Sequence, residues 1–308
     1  MHPAADAVFA SLRTAERVSP GLAARLAEPV FRSTRPPAKV RPGDLATHGT
    51  AARSTLRLPA HPGDRRGREA IVYEWTGRGA PVLLAHGWRG RASQFATIVR
   101  ELRAEGHRVI AFDAPAHGDA PGRRADIRDW LAIIDALHLR NDRFHAIIGH
   151  SFGSLAALTA VREGVRADRV VTIAGMADAR YLVDGFGALT GLGPDACDRL
   201  AGRFARRVMP GIADPWPRFD AVADPLPRGL PLLVVHDRDD REVAVGEAVR
   251  LHAAHRDRAR LVLTGGSGHN AVLGAEPTLD AIVGFVTDGL AGVDASGLGR
   301  PATADVTA

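Results

Sequence analysis

Short apolar runs alternate with longer amphipathic stretches along most of this chain. The apolar runs predict strands and the amphipathic stretches predict helices. Predicted strands cover 54–58, 70–75, 81–85, 108–112, 144–148, 169–174, 231–236 and 260–264, and predicted helices cover 94–105, 126–138, 155–160, 244–254 and 278–290. Repeated strand-helix units form α/β folds, so we expect a mostly parallel central sheet with helices on both faces.

Two segments depart from this alternation. Apolar spacing over 4–28 predicts a helix broken at Ser19-Pro20-Gly21. Between 174 and 231, helical patterns at 180–189 and 195–208 precede a proline-rich stretch. A structureless loop of this length is uncommon in a compact domain. We therefore predict a small helical cap over the C-terminal edge of the sheet, where open α/β sheets bind ligands.

These patterns predict four parts. An N-terminal helical extension and linker spans 1–50, and the α/β core spans 51–176 and 229–292. The helical cap spans 177–228, and a flexible tail spans 293–308. The N-terminal extension has two interpretations, an appendage packed on the main domain or a contact in a homodimer. Residues 62–67 are expected to form a polar turn between the first two strands.

Composition narrows the class of protein. The 308 residues are 45% hydrophobic and 24% charged, as in ordinary globular proteins. The net charge of +5 comes almost entirely from arginines scattered among acidic residues, so we expect no nucleic-acid partner. Cys197 is the only cysteine, which excludes an intrachain disulfide. No apolar run has the length of a membrane span or signal core, so we expect a cytoplasmic protein without stable membrane insertion.

The candidate nucleophile is Ser151. It lies in Gly149-His150-Ser151-Phe152-Gly153, a G-x-S-x-G pattern between a predicted strand and a predicted helix. Glycines two positions before and after the serine let the backbone make a sharp strand-to-helix turn that exposes the hydroxyl. The helix N-terminus adds unpaired N–H groups that favour a developing oxyanion.

A serine hydroxyl needs a general base, and the base needs an orienting acid. His269 follows a late strand on a glycine-rich loop, which distinguishes it from four rival histidines. Those rivals are His86, His117, His150 and His236. For the acid, three aspartates follow the strand 231–236, namely Asp237, Asp239 and Asp240, and Asp178 is a more distant candidate.

Two backbone N–H groups are expected to bind the oxyanion. One belongs to Phe152, the residue after the nucleophile. The other is expected from Trp88, because Gly87 before it permits an unusual backbone. The Trp88 indole could be a plain core residue, although its place after a strand end favours a pocket-lining role.

These motifs resemble those of esterase- and lipase-like serine hydrolases in the α/β-hydrolase superfamily. The resemblance runs from about residue 54 to 290 and is carried by LLAHGW (83–88), FDAPAHG (112–118), IIGHSFGS (147–154), VVHDRDD (234–240) and GSGHN (266–270). In relatives the acid strand is followed by His-Gly-x-x-Asp-x-x-Val. That pattern selects Asp240, leaves Asp239 as the alternative and puts Asp237 at the usual glycine. Ala116 likewise replaces a glycine of the family.

The resemblance implies hydrolysis of a small-molecule carboxylic ester through an acyl-enzyme on Ser151, with His269 as base and Asp240 as acid. Dehalogenases and epoxide hydrolases of the superfamily carry Asp at the nucleophile position, so Ser151 argues against both. An acyltransferase, a hydrolase of a thioester, lactone or carbon–carbon bond, and a non-catalytic binding protein remain alternatives. We expect no metal or organic cofactor, because metal-ligand, dinucleotide and P-loop patterns are missing from the sequence.

Two features bear on the substrate. Apolar residues of the cap either line an acyl pocket or form the cap's own core; they are Phe186, Leu189, Leu192, Phe204 and Trp216. Arg89 and Arg91 could attract an anionic substrate, but we expect them to be solvated surface residues.

Overall fold

The computed structural model describes residues 3–61 and 67–299. Its strands are β1 (Ala52–Leu58), β2 (Arg68–Trp75), β3 (Arg78–Ala85), β4 (His107–Asp113), β5 (Ala146–His150), β6 (Val170–Ile173), β7 (Leu232–Asp237) and β8 (Ala259–Thr264). They form one eight-stranded sheet in the order β1-β2-β4-β3-β5-β6-β7-β8. The β1–β2 and β2–β4 pairs are antiparallel and the others are parallel, which confirms the predicted α/β fold.

Helices follow most of the parallel strands. They are α1 (Pro3–Val18), α2 (Pro20–Phe31), α3 (Leu45–Gly49), α4 (Ala96–Ala104), α5 (Ile127–Asn141), α6 (Phe152–Arg162), α7 (Arg180–Thr190), α8 (Pro194–Val208), α9 (Val245–Ala254), α10 (Gly268–Ala271), α11 (Glu276–Asp288) and α12 (Leu290–Ala295). The helix predicted over 278–290 therefore ends earlier, because Gly289 takes a φ of 68° and separates α11 from α12. No helix among the described residues combines the length and apolar character needed to cross a membrane.

The central strands are buried on both faces. Every residue of β5, β6 and β7 is buried, which explains why these strands are continuous apolar runs rather than alternating ones. Helix α6 is buried from Phe152 to Val161, and its small residues allow close contact with the sheet. This packing fixes the position of the turn between β5 and α6.

A separate compact unit contains α1 and α2 up to Ser33 together with Asp178–Asp220. Its apolar core joins residues of both segments, including Leu12, Val183 and Leu200. The break between α1 and α2 lies where the sequence predicts it, because Ser19 caps α2 by accepting a hydrogen bond from the Gly21 N–H at 3.2 Å. The N-terminal helices thus pack with the inserted helices. The role of the insertion as a cap stays a prediction.

Most of the five apolar residues of the insertion, which the sequence assigns either to a pocket or to a core, contribute to the core of this unit. Leu192 is a member of the core, and Phe186 and Trp216 pack against it. Phe204 makes an edge-to-face contact with Phe31, with ring centroids 5.5 Å apart. Leu189 is exposed. The core interpretation therefore accounts for four of the five residues.

Parts of the predicted organisation lie outside the described residues. The polar turn predicted at 62–67 falls there except for Gly67, and so does the tail from residue 300 onward. The first residues of the predicted tail belong to α12, which extends to Ala295.

Candidate active site

Ser151 occupies the sharp turn between β5 and α6. It adopts φ 52° and ψ −121°, a conformation that is strained for a residue with a side chain. Its backbone N–H donates to the Ile173 carbonyl at 2.9 Å, which ties the turn to β6. Strained backbone of this kind is typical of functional positions, where the surrounding packing maintains it.

The two glycines of the turn are required by close backbone contacts. A Cβ on Gly153 would lie 2.0 Å from the Ala85 carbonyl oxygen, and one on Gly149 would lie 2.5 Å from the Gly153 carbonyl oxygen. Neither contact is sterically allowed. The spacing of the G-x-S-x-G pattern is therefore a packing requirement of the β5–α6 crossing over β3.

His269 and Asp240 are joined by a hydrogen bond. His269 is the second residue of α10, and its Nδ1 lies 2.7 Å from Asp240 Oδ2. Because a carboxylate only accepts hydrogen bonds, Nδ1 carries the proton, and Nε2 of the neutral ring is left as the basic nitrogen. Both side chains are nearly inaccessible to solvent.

Several donors hold the Asp240 side chain in its ionised form. The N–H groups of Glu242 and Val243 donate to Oδ1 at 2.8 and 2.9 Å. His236 Nε2 lies 2.9 Å from the Val243 carbonyl and 3.4 Å from Asp240 Oδ2, so its N–H faces both. Burial alone would raise the pKa of Asp240, but the hydrogen bonds from His269 and the two N–H groups lower it below its ordinary value.

The other candidate acids have different partners. Asp239 Oδ2 accepts the Gly266 N–H at 2.7 Å, and Asp178 accepts the Tyr181 N–H at 3.1 Å. Asp237 is fully buried and accepts from Thr264 Oγ1 at 2.7 Å and from the N–H groups of Asp239 and Ser267. Asp237 thus links the loop after β7 to the loop that carries His269. Asp237 stands where the acid motif of the similar hydrolases has glycine.

The rival histidines are buried and engaged in local hydrogen bonds. His150 Nε2 lies 2.9 Å from the His269 carbonyl, so it supports the backbone of the candidate base. His117 Nδ1 lies 2.9 Å from the Pro115 carbonyl. Burial lowers the pKa of His86 to about 4 and those of His117 and His150 to about 3. These rings are therefore neutral at physiological pH.

Both candidate oxyanion donors adjoin Ser151. Phe152 is the first residue of α6, where backbone N–H groups lack intrahelical partners. Gly87 lies close to the nucleophile, since a Cβ there would lie 2.9 Å from Ser151 Cβ. His86 Nδ1 donates to the Gly87 carbonyl at 2.7 Å, because its Nε2 accepts the Ala114 N–H. In the planar trans peptide this orientation points the Trp88 N–H away from His86.

The Trp88 indole has two environments. Its ring stacks on Trp130 at 5.9 Å and contacts Phe152 edge-to-face at 5.3 Å. The same residue lines a cavity of about 280 Å³ shared with Ser151 and His269. No hydrogen bond joins Ser151 Oγ to His269 among the described residues, so the structure brings these two side chains to one cavity without bonding them.

Polar residues make up most of the lining of this cavity. Its remaining lining side chains include Arg41, Arg89, Gln94, Glu242 and Asn270. Neither Arg41 nor Glu242 could be identified from the sequence, because Arg41 lies in a predicted linker and Glu242 stands at a variable position of the acid motif. Glu242 follows the acid loop, and its Oε2 lies 3.7 Å from His269 Nε2.

Arg89 is exposed, but the expectation that Arg91 is a solvated surface residue is wrong. Arg91 is 3% exposed, and its guanidinium lies 3.0 Å from Asp119 and 3.4 Å from Asp113. Asp113 also accepts the Ala92 N–H at 2.7 Å. The ion pairs compensate the burial of the charged groups, which explains a buried arginine beside the loop that carries Trp88.

One cluster has ligand types suited to a metal. It contains His61, Asp126 and Asp129 at the start of α5. Arg128 pairs with Asp126 at 2.8 Å and Arg68 with Asp129 at 2.9 Å, so arginines already balance both carboxylates. Asp126 also caps α5. The ion pairs and the helix cap therefore explain why these side chains cluster at the start of α5.

Known proteins resemble this chain at several levels. Two frog proteins, the sn-1-specific diacylglycerol lipases ABHD11 of Xenopus laevis and Xenopus tropicalis, are 34% and 33% identical to it over 108 residues. The match covers 33% of this chain and about a third of the length of these curated relatives.

Solved structures share the fold at low sequence identity. A putative hydrolase of Agrobacterium vitis and mouse alpha/beta hydrolase domain-containing protein 10 each give a TM-score of 0.55 at 16% identity, with 77% of this chain and 98% of theirs covered. An esterase of Pyrococcus furiosus gives 0.55 at 18% identity, with 83% of this chain and 96% of its own covered.

The family comparison covers most of the core. The model of the alpha/beta hydrolase family matches residues 82–281, which is more than half of the chain. The match runs from within β3 past β8 and includes the turn at Ser151 and the loop at His269. The strand order and the match agree. This chain belongs to the alpha/beta hydrolase family.

Proposed function

We propose that this protein is a serine hydrolase that cleaves a carboxylic ester of a small molecule through an acyl-enzyme on Ser151. The observation that carries the proposal is the 2.7 Å hydrogen bond between His269 Nδ1 and Asp240 Oδ2, on a loop that shares a cavity with Ser151. Because Asp240 holds the ring proton on Nδ1, His269 Nε2 is left to accept the proton of the serine hydroxyl.

In the proposed reaction, Ser151 Oγ attacks the ester carbonyl as His269 Nε2 takes its proton. The Phe152 and Trp88 N–H groups stabilise the oxyanion, and the protonated His269 then gives its proton to the leaving alcohol. Asp240 stabilises the imidazolium. In the second half, water attacks the acyl-enzyme as His269 accepts its proton. The protonated His269 then gives that proton to Ser151 Oγ as the bond to the acyl carbon breaks, which releases the carboxylic acid and restores the serine.

The relatives support this reaction class. The frog proteins are named as lipases and the Pyrococcus furiosus protein as an esterase. The match to the lipases covers only a third of their length, so their substrate does not transfer with the fold. The polar lining of the cavity also favours a compact polar ester over a long-chain lipid.

Hydrolysis of p-nitrophenyl esters of increasing acyl length tests the proposal. We expect the wild type to prefer short acyl groups and Ser151→Ala to lose activity on every ester. If Ser151→Ala hydrolyses the esters as fast as the wild type, the nucleophile is not Ser151. If the wild type is inert on all of them and towards a fluorophosphonate, a non-catalytic binding role replaces the hydrolase.

The candidate acids are separated by a matched pair of variants. Asp240→Asn removes the acceptor of the His269 Nδ1 proton, so we expect kcat to fall on the order of 10³–10⁴-fold. Asp239→Asn removes only the contact with the Gly266 N–H, so we expect a change of less than about tenfold. The reverse order of effects would assign Asp239 as the acid.

A further inference from the structure

Two arginines line the cavity beside Ser151 without a carboxylate partner. Arg41 lies on the loop before α3, and Arg89 follows Trp88 on the loop after β3. Within residues 3–61 and 67–299, Arg41 has no side-chain partner, and Arg89 donates only to the neutral Arg35 carbonyl, at 2.9 Å. Neighbouring arginines differ, since Arg91 pairs with Asp119 and Asp113.

We propose that the substrate carries an anionic group, a carboxylate or a phosphorus acid, that Arg41 and Arg89 bind close to the scissile ester. The inference rests on the proposed function and specifies its substrate class. Guanidinium groups donate in a planar fork that matches carboxylate and phosphate oxygens. Two unneutralised guanidiniums at one cavity therefore supply the charge and donors for such a group.

The backbone holds Arg89 at the cavity. Arg89 adopts a φ of 60°, and the Gly90 N–H donates to the Gly87 carbonyl at 3.0 Å to close the turn. Together with the bond to the Arg35 carbonyl, this turn restricts the guanidinium. A restricted donor loses less conformational entropy when it binds an anion.

The third charged group of the cavity is Glu242, and its charge lies towards the candidate base. Its Oε1 accepts from Asn270 Nδ2 at 3.3 Å, and its Oε2 lies 3.7 Å from His269 Nε2. The cavity thus has two positive groups and one negative group, so a net positive charge remains for an anion. Gln94 Oε1 accepts the Arg91 N–H, which leaves the Gln94 amide N–H groups as further donors.

Cavity size limits the anionic ester to a small molecule. The volume of about 280 Å³ is at the lower end of ligand sites. Apart from the glycines, Trp88 is the one apolar residue among those that line this cavity. A hemiester of a short dicarboxylic acid, or its phosphonate counterpart, fits both the volume and the lining.

Calorimetric titration of the Ser151→Ala protein tests the inference without requiring turnover. The ligands are monomethyl glutarate, methyl 3-phosphonopropanoate and the neutral dimethyl glutarate. We expect at least one anion to bind about tenfold or more tightly than the neutral diester, because each charge-assisted contact contributes to affinity. The tighter anion identifies the carboxylate or the phosphorus acid as the group bound.

Arginine variants in the same background localise the site. Arg41→Gln and Arg89→Gln are each expected to weaken anion binding roughly 5- to 30-fold, between the effect of an exposed ion pair and that of a buried charged hydrogen bond. Arg57→Gln removes an exposed arginine on β1 and is the matched control, expected to bind like its parent. Equal binding of anions and diester, or full binding by both cavity variants, would overturn the inference.

The outcome is separable from that of the proposed function. Turnover of neutral p-nitrophenyl esters by the wild type tests the hydrolase, and binding to Ser151→Ala tests the anion site. Binding without turnover would retain the anion site and remove the hydrolase. Turnover without selective anion binding would retain the hydrolase and remove the anion site.

Discussion

Asp237 offers a sharp test of how the loops of the active site are held together. Its carboxylate accepts three hydrogen bonds in a fully buried position, from Thr264 Oγ1 at 2.7 Å, the Asp239 N–H at 3.0 Å and the Ser267 N–H at 3.1 Å. Asp237→Asn has the same shape but replaces one acceptor oxygen by a donating NH2 group. At least one buried donor then faces another donor.

The magnitude follows from these bonds. One unsatisfied buried donor costs about 1–3 kcal/mol, and loss of the charge weakens each remaining bond by about 1 kcal/mol. Because two bonds remain, we expect the free energy of unfolding to fall by about 3–5 kcal/mol for Asp237→Asn. The loop that carries His269 loses its anchor, so kcat for the proposed ester hydrolysis is expected to fall as well. Urea denaturation and ester hydrolysis at neutral pH measure the two effects.

Asp239→Asn is the control for this prediction. Asp239 is exposed and loses one bond to the Gly266 N–H, so its cost is expected to stay below about 1 kcal/mol. Burial would raise the pKa of Asp237, but its hydrogen bonds lower the pKa below 3.8. Its ionisation therefore stabilises the fold above pH 3.8, and the difference between wild type and Asp237→Asn should narrow as the pH falls below that value. Equal stabilities of the two variants at neutral pH would show that the buried hydrogen bonds of Asp237 do not hold these loops together.

Three further predictions concern stability. The pKa values of His86 and His150, lowered to about 4 and about 3, keep both rings neutral in the fold. The unfolded chain takes up protons below about pH 6.5, so stability should be lost as pH falls from there towards 4, by roughly 2 kcal/mol per histidine at pH 5. Urea curves at pH 7 and pH 5 check this, and a pH-independent midpoint would contradict it. Gly153→Ala should prevent folding or lower stability severely, because its Cβ would lie 2.0 Å from the Ala85 oxygen. Its control is Gly185→Ala in α7, whose Cβ meets no atom within 4 Å, so the free energy of unfolding should rise by about 0.5–1 kcal/mol. Circular dichroism melts of the pair decide it, and similar melting temperatures would refute the packing requirement. Ala116→Gly should stabilise the protein by about 0.5–1 kcal/mol in the same melts, because Ala116 adopts a φ of 63° that glycine takes without strain. A loss of stability would show that the contacts of the Ala116 methyl group outweigh this backbone strain.

The centre of the sheet could be predicted from the sequence because β5, β6 and β7 are continuous apolar runs. Strand β5 and helix α6 have unambiguous patterns, and their order fixes the turn at Ser151. The grouping of the N-terminal helices with the insertion could not be predicted in this way. It depends on contacts between distant segments, such as the pairing of buried Glu28 with Arg203 at 3.1 Å, which leave no periodic signal.

Candidate site residues within motifs were identifiable, and those outside motifs were not. Ser151, Asp240 and His269 follow strand ends in recognisable patterns, and the choice among the aspartates depended on the resemblance. Arg41 lies in a segment interpreted as a linker, and loop geometry alone brings it to the cavity. The expectation for Arg91 was wrong because its acidic partners lie far along the chain, Asp113 at the end of β4 and Asp119 on the loop after it.

Labelling with a fluorophosphonate, followed by intact-protein mass spectrometry, reports whether Ser151 is an activated nucleophile. We expect a single adduct on the wild type, mapped to Ser151, and none on Ser151→Ala. His269→Ala should label much more slowly, because the basic Nε2 is lost. An unlabelled wild type, or an equally labelled Ser151→Ala protein, would contradict the assignment of Ser151 as the nucleophile.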